Sequence, residues 1–214
     1  MILKTSKILA PDLLQTVLKE AMPYEEFRKE VFQLLETNRV TGKEQSDAYL
    51  HYTLMNEKRM DRWEKTFRIP EGVAEAVSAF TGKVTWLVIT EGWCGDGAHA
   101  LPVMKKLADL NENITLKMVI RDEHPELMDE FLTNGARSIP KLLMLDEATG
   151  MVSATWGPRP SEAARMVEDE KREKGELSPQ FRADLQMWYN RDKGKNIAAD
   201  LADLLSLELV GDGA

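Results

Sequence analysis

Apolar residues recur at helical spacing along residues 11–68. Leu13, Leu14, Val17, Leu18 and Ala21 form a first stripe, and Phe27, Val31, Leu34 and Leu35 a second. Tyr49, Leu50, Leu54, Met55 and Trp63 form a third. Such stripes predict amphipathic helices, and Pro23 and Gly42 fall where two of them should end. No strand pattern stands out before residue 70, so residues 1–70 read as an all-helical extension.

The pattern changes after Ile69-Pro70. Residues 71–81 fit a short helix stopped by Gly82, and the β-branched and aromatic run 84–90 predicts a buried strand. A helix is expected over 98–110, a strand over 114–120 and a helix over 125–132, the last capped by Asp122 and ended by Asn134-Gly135. Residues 141–145 and 151–155 read as a hairpin around Asp146–Gly150. The order βαβαββ predicts an α/β core over residues 71–160. In it the strands joined by a helix run parallel and the last pair antiparallel. Residues 161–214 return to helix: Ser161 as N-cap of a charged helix 162–174, Ser178-Pro179 opening a helix with Phe181 and Leu185, and a last helix over 197–207.

Composition adds exclusions. With 43% hydrophobic and 30% charged residues the 214-residue chain is expected to fold around a real core. A formal net charge of −8 argues against nucleic acid or an anionic membrane as main partner. No apolar run approaches membrane-spanning length, and the opening lacks a secretory pattern. One cysteine permits no internal disulfide, so the cytoplasm is the expected compartment. Oligomeric state is not legible.

That cysteine carries the candidate chemistry. Glu91-Gly92-Trp93-Cys94-Gly95-Asp96-Gly97 joins the buried strand to the next helix. A thiol at a helix N-terminus gains from free amides and the positive dipole end, which favour thiolate. Asp96 opposes this by charge repulsion. The plainer reading is a small buried residue. Cys94, Asp96 and His99 do not form a defensible metal spacing, and His99 is expected on a helix surface. Arg159, in Trp156-Gly157-Pro158-Arg159-Pro160, could serve an anion, although a structural turn is favoured. Trp63, Trp188 and Tyr189 read as core or interface residues.

Trp93-Cys94-Gly95-Asp96-Gly97 resembles the Trp-Cys-Gly-x-Cys signature of the thioredoxin superfamily, and is close in look to bacterial thioredoxin-like proteins with Trp-Cys-Gly-Asp-Cys. Pro102 stands where that family kinks its helix, and Gly135-Ala136-Arg137-Ser138-Ile139-Pro140 is similar to the stretch that carries its cis-proline. The resemblance covers residues 81–156 and implies a thioredoxin-like fold with helical extensions at both ends. It implies Cys94 as nucleophile, and Trp93, Gly95, Asp96, Gly97, Ile139 and Pro140 as substrate-binding positions. Two departures limit it: Gly97 replaces the second cysteine, and Val88 replaces the buried carboxylate. A dithiol cycle is therefore impossible. The leading expectation is monothiol exchange with a protein disulfide or thiol substrate, resolved by glutathione or another small thiol, with no bound cofactor. The competing expectation is a redox-inactive binding module that uses the proline groove.

Overall fold

The computed structural model describes residues 2–206. Its elements run β1 (Ile2–Ile8), α1 (Pro11–Glu20), β2 (Met22–Pro23), α2 (Tyr24–Glu36), α3 (Asp47–Thr66) and α4 (Glu71–Ser78). They continue through β3 (Val84–Thr90), α5 (Gly95–Ala108), β4 (Ile114–Ile120), α6 (Pro125–Glu130), β5 (Lys141–Leu145) and β6 (Met151–Trp156). Helices α7 (Ser161–Lys174), α8 (Pro179–Asp192) and α9 (Lys195–Ser206) close the described chain. The expected end of the last helix at Leu207 lies outside the described residues.

One six-stranded mixed sheet of order β1-β6-β5-β3-β4-β2 organises the molecule. Strand β3 lies parallel to β4 and antiparallel to β5, and β5 and β6 form the expected antiparallel hairpin. All seven residues of β3 are buried, because both faces of the sheet are covered. Successive side chains of a strand point to opposite faces. Trp86 and Val88 accordingly join one core with Leu142, Met144 and Leu101, whereas Leu87 and Ile89 join another with Leu143, Leu145 and Leu127. Helix α5 and the C-terminal helix α9 pack on the first face, and α1 and α6 on the second. Among the described residues no helix is long and apolar enough to cross a membrane.

Three expectations need correction. The first seventy residues are not all helix, because β1 lies antiparallel on β6 at one sheet edge and β2 on β4 at the other. Strand β1 alternates weakly and leaves Leu3 and Ile8 exposed. Its hydrogen bonds go to a strand some 150 residues further on, a partner that local pattern cannot reveal. Asp122 does not cap α6, whose N-cap is His124 without a side-chain bond; the Asp122 carboxylate instead accepts from Arg121 Nε at 2.8 Å. Ser161 is the first residue of α7 rather than its cap, and its hydroxyl donates to Asp200 Oδ1 at 2.7 Å. Ser178 does cap α8, accepting from the Phe181 amide at 3.1 Å.

Candidate functional site

Helix α5 starts three residues earlier than its apolar pattern suggests, which makes Cys94 its N-cap. The sulfur takes the place usually held by a hydroxyl or carboxylate oxygen and accepts from the Gly97 amide at 3.3 Å. The thiol also donates to the Ile139 carbonyl at 3.3 Å. Both contacts are made by a neutral S–H. Cys94 is only 7% exposed, and burial, reinforced by the negative charge of Asp96, pushes its pKa up to about 12. The Gly97 amide and Arg159 pull the other way and lose. The amides expected to favour a thiolate are in place, but desolvation outweighs them.

Asp96 anchors the next layer. Its Oδ1 accepts from the Tyr189 hydroxyl at 2.9 Å, and its Oδ2 pairs with Arg159 Nη2 at 2.8 Å. Burial raises the Asp96 pKa while Arg159 and Tyr189 stabilise the charged form. Arg159 therefore reaches the site rather than merely shaping a turn. Two cis peptides frame this side, Ile139–Pro140 and Gly157–Pro158. Gly157 has φ +119°, and a Cβ there would stand 2.2 Å from the Pro140 carbonyl oxygen. The second loop is thus packed backbone to backbone against the first. Gly97, at the missing cysteine's position, is also tight, since a Cβ there would lie 3.0 Å from Thr90 Oγ1 and 3.5 Å from the Cys94 sulfur.

Helix α3 and the loop before it complete the site. Thr41 accepts from the Gly92 amide and Asn56 donates to the Gly92 carbonyl, each at 2.9 Å, so α3 and the loop before it hold the loop before Cys94. Tyr49 stacks on Trp93 with ring centroids 4.4 Å apart, and the Arg121 guanidinium lies 4.8 Å from the same ring. Glu91, 1% exposed, accepts from the Asp122 amide, and burial pushes its pKa up to about 7.

His99 is not on the surface but 1% exposed, between α3 and α8. An indole N–H can only donate, so the 2.9 Å bond from Trp63 Nε1 makes His99 Nδ1 the acceptor. The proton then sits on Nε2, which donates to Gln186 Oε1 at 3.1 Å. Tyr189 stacks on the imidazole at 4.2 Å. Burial lowers the His99 pKa to about 4.

Between α3 and α8 a pocket of about 590 Å³ opens onto Cys94. Such a volume suits a small molecule or a few residues of peptide. Of the residues singled out from sequence, Trp93, Cys94, Gly95, Asp96 and Ile139 line it. Pro140 and Gly97 lie behind this wall, buried. Sequence reasoning missed Tyr49, Asn56, Arg59, Arg121 and Phe181, which also line it. Nothing in their local spacing sets them apart from ordinary helix or strand-end residues. Tyr189 was legible as buried, but not its bond to Asp96.

The sheet order, the N-cap cysteine after a buried strand and the Ile139–Pro140 loop beside its sulfur define a thioredoxin-like α/β protein. Residues 42–172 match the family model described as Thioredoxin, and the chain belongs to that family. No curated protein matches it. Among solved structures it is similar to a protein of unknown function from Pseudomonas aeruginosa. That likeness has 17% identity and a TM-score of 0.56, covering 92% of this chain and 97% of the other. An HIV epitope-scaffold is similar at 17% identity and a TM-score of 0.54, covering 90% of this chain and all of the other. These likenesses concern the fold.

Proposed function

We propose that this chain is a thioredoxin-fold binding protein that takes its ligand in the pocket between α3 and α8, beside the Ile139–Pro140 edge, with Cys94 as a neutral thiol in the wall. The observation that carries this reading is the state of the sulfur: buried, donating to one backbone carbonyl and accepting from one backbone amide. Thiolate is the nucleophile in exchange, and a thiol pushed up to about 12 supplies very little of it at neutral pH. With Gly97 in place of a resolving cysteine, a bound disulfide would meet neither half of the dithiol machinery.

Monothiol exchange is the second reading, favoured by the position of Cys94 on the pocket wall at 3.3 Å from the Ile139 carbonyl. In it the Cys94 thiolate attacks one sulfur of a protein disulfide and expels the other as thiolate. Glutathione or another small thiol then attacks the mixed disulfide and regenerates Cys94. A reducing compartment such as the cytoplasm of a bacterium suits both readings.

Native protein incubated with oxidised glutathione at neutral pH, then weighed intact, separates them. The binding reading expects no mass increase until the protein is unfolded in denaturant. A glutathione adduct on Cys94 within minutes in the folded state overturns it and installs the exchange reading.

A further inference from the structure

The charge of the pocket runs against the charge of the protein. The chain carries −8 overall, yet five arginines and one aspartate line the cavity beside Cys94. Three of these arginines are committed: Arg159 to Asp96 at 2.8 Å, Arg121 to Asp122 at 2.8 Å and Arg137 to Asp129 at 2.6 Å. The other two, Arg59 on α3 and Arg182 on α8, have no ion-pair partner among the described residues. Arg59 Nη1 donates to the Asn56 side-chain carbonyl at 2.9 Å, and Arg182 Nε to the Leu177 carbonyl at 3.3 Å. Both acceptors are neutral.

Arg59 is the more telling. It is half-buried, and a Cβ at Gly95 would lie 3.7 Å from its Nη1, so the guanidinium stands against the first turn of α5. That turn carries partial positive charge, and Arg62 on the same face adds more. The nearest negative charge in the pocket, Asp96, has both oxygens engaged, one by Tyr189 and one by Arg159. A partly desolvated cation facing other positive charge costs free energy that the attraction of Asp96 offsets only in part, and an incoming anion would recover it. Aromatic surface lies alongside, from the stacked Tyr49 and Trp93 and from Tyr52, which is 48% exposed.

We propose that the ligand of this pocket is a small organic polyanion, a di- or tricarboxylate or a phosphate ester, whose negative groups engage Arg59 from α3 and Arg182 from α8. The proposal rests on the pocket being a binding site and names the chemistry it selects. Charge sets the selection and volume sets the limit, about 590 Å³. An extended acidic peptide would place most of its length outside those walls.

Isothermal titration of the full chain with citrate and with pyrophosphate, at low salt, tests it and separates carboxylate from phosphate. Tryptophan fluorescence, compared between the parent and Trp93→Phe because the chain has five tryptophans, reports occupancy of the same pocket. Saturable one-to-one binding of at least one probe is expected, weakening as sodium chloride rises. Arg59→Gln and Arg182→Gln should each weaken it about tenfold, the loss typical of one charge-assisted contact. Arg172→Gln on α7, 72% exposed and outside the pocket, carries the same change in net charge and should leave binding intact. Circular dichroism checks that the half-buried Arg59 variant folds, and the exposed Arg182 variant carries the test if it does not. The proposal is overturned by no saturable binding of either probe, by equal weakening in Arg172→Gln, or by binding of a glutamate-rich decapeptide where neither small anion binds. Its fate is separate from that of the thiol: a Cys94 that forms a glutathione adduct while anion binding persists overturns the neutral-thiol reading alone.

Discussion

Cys94 has two kinds of neighbour, and they are built differently. On the loop side, the Ile139–Pro140 and Gly157–Pro158 loops meet it through backbone, with Gly157 against the Pro140 carbonyl and the sulfur against the Ile139 carbonyl. On the helix side, α3 and α8 meet the site through side chains: Tyr49 on Trp93, Asn56 on Gly92, Tyr189 on Asp96 and His99 between Trp63 and Gln186. Backbone contacts leave no room for substitution, whereas side-chain contacts can be trimmed atom by atom. The loop side therefore sets where the sulfur is, and the helix side sets how dry it is and what charge surrounds it.

The comparison breaks most visibly at Gly157. Gly157→Ala must either move the Pro140 loop or abandon φ +119°, so a loss above about 3 kcal/mol is expected in urea unfolding. A variant as stable as the parent would mean that the two loops are not locked backbone to backbone.

On the helix side the largest effect is a pH dependence. His99 titrates near 4 in the folded chain and near 6.5 when unfolded, so in that window the unfolded state binds the extra proton. Its contribution is present above pH 6.5 and is lost as pH falls to 4, by about 3 kcal/mol. Glu91, pushed up to about 7, has the opposite sign: the folded state holds the extra proton, and stability falls as pH rises from 4.5 to 7. The two slopes oppose each other where they overlap. The difference between the parent and His99→Gln, measured by urea unfolding across this range, isolates the histidine. A flat difference would remove His99 from the contacts that hold α3 to α8.

The smallest change sharpens the contrast. Tyr189→Phe deletes one oxygen, the donor at 2.9 Å to Asp96, and keeps the ring stacked on His99. A loss of about 2 kcal/mol is expected in thermal or urea unfolding, since the partly buried carboxylate loses one of its two donors. A neutral outcome would mean that Arg159 alone satisfies Asp96.

The central strands were the most legible part of the chain. Strands β3 and β4 fall where the runs 84–90 and 114–120 place them: β3 is buried along its whole length, and β4 is buried at five of its seven positions. Edge strand β1 was not legible, because one sheet neighbour and partial exposure leave little periodic signal. In the site, Trp93-Cys94-Gly95 and Ile139-Pro140 could be read as motifs. Arg59 and Tyr49 could not, since a helix carrying them reads the same whether it faces solvent or a thiol. His99 was misread for a similar reason. Its short surrounding pattern does not show that α3 and α8 close over it from residues 63 and 189.

By itself the sequence determined the family, the buried βαβαββ order and the absence of a second thiol, all properties of residue type and spacing along the chain. Tertiary structure alone decided that the remaining thiol is buried, with its pKa pushed up to about 12, and that five arginines and one aspartate line the pocket beside it. Desolvation and net local charge are sums over residues far apart in sequence, here Arg59, Asp96, Ile139, Arg159 and Arg182, and no local window contains them.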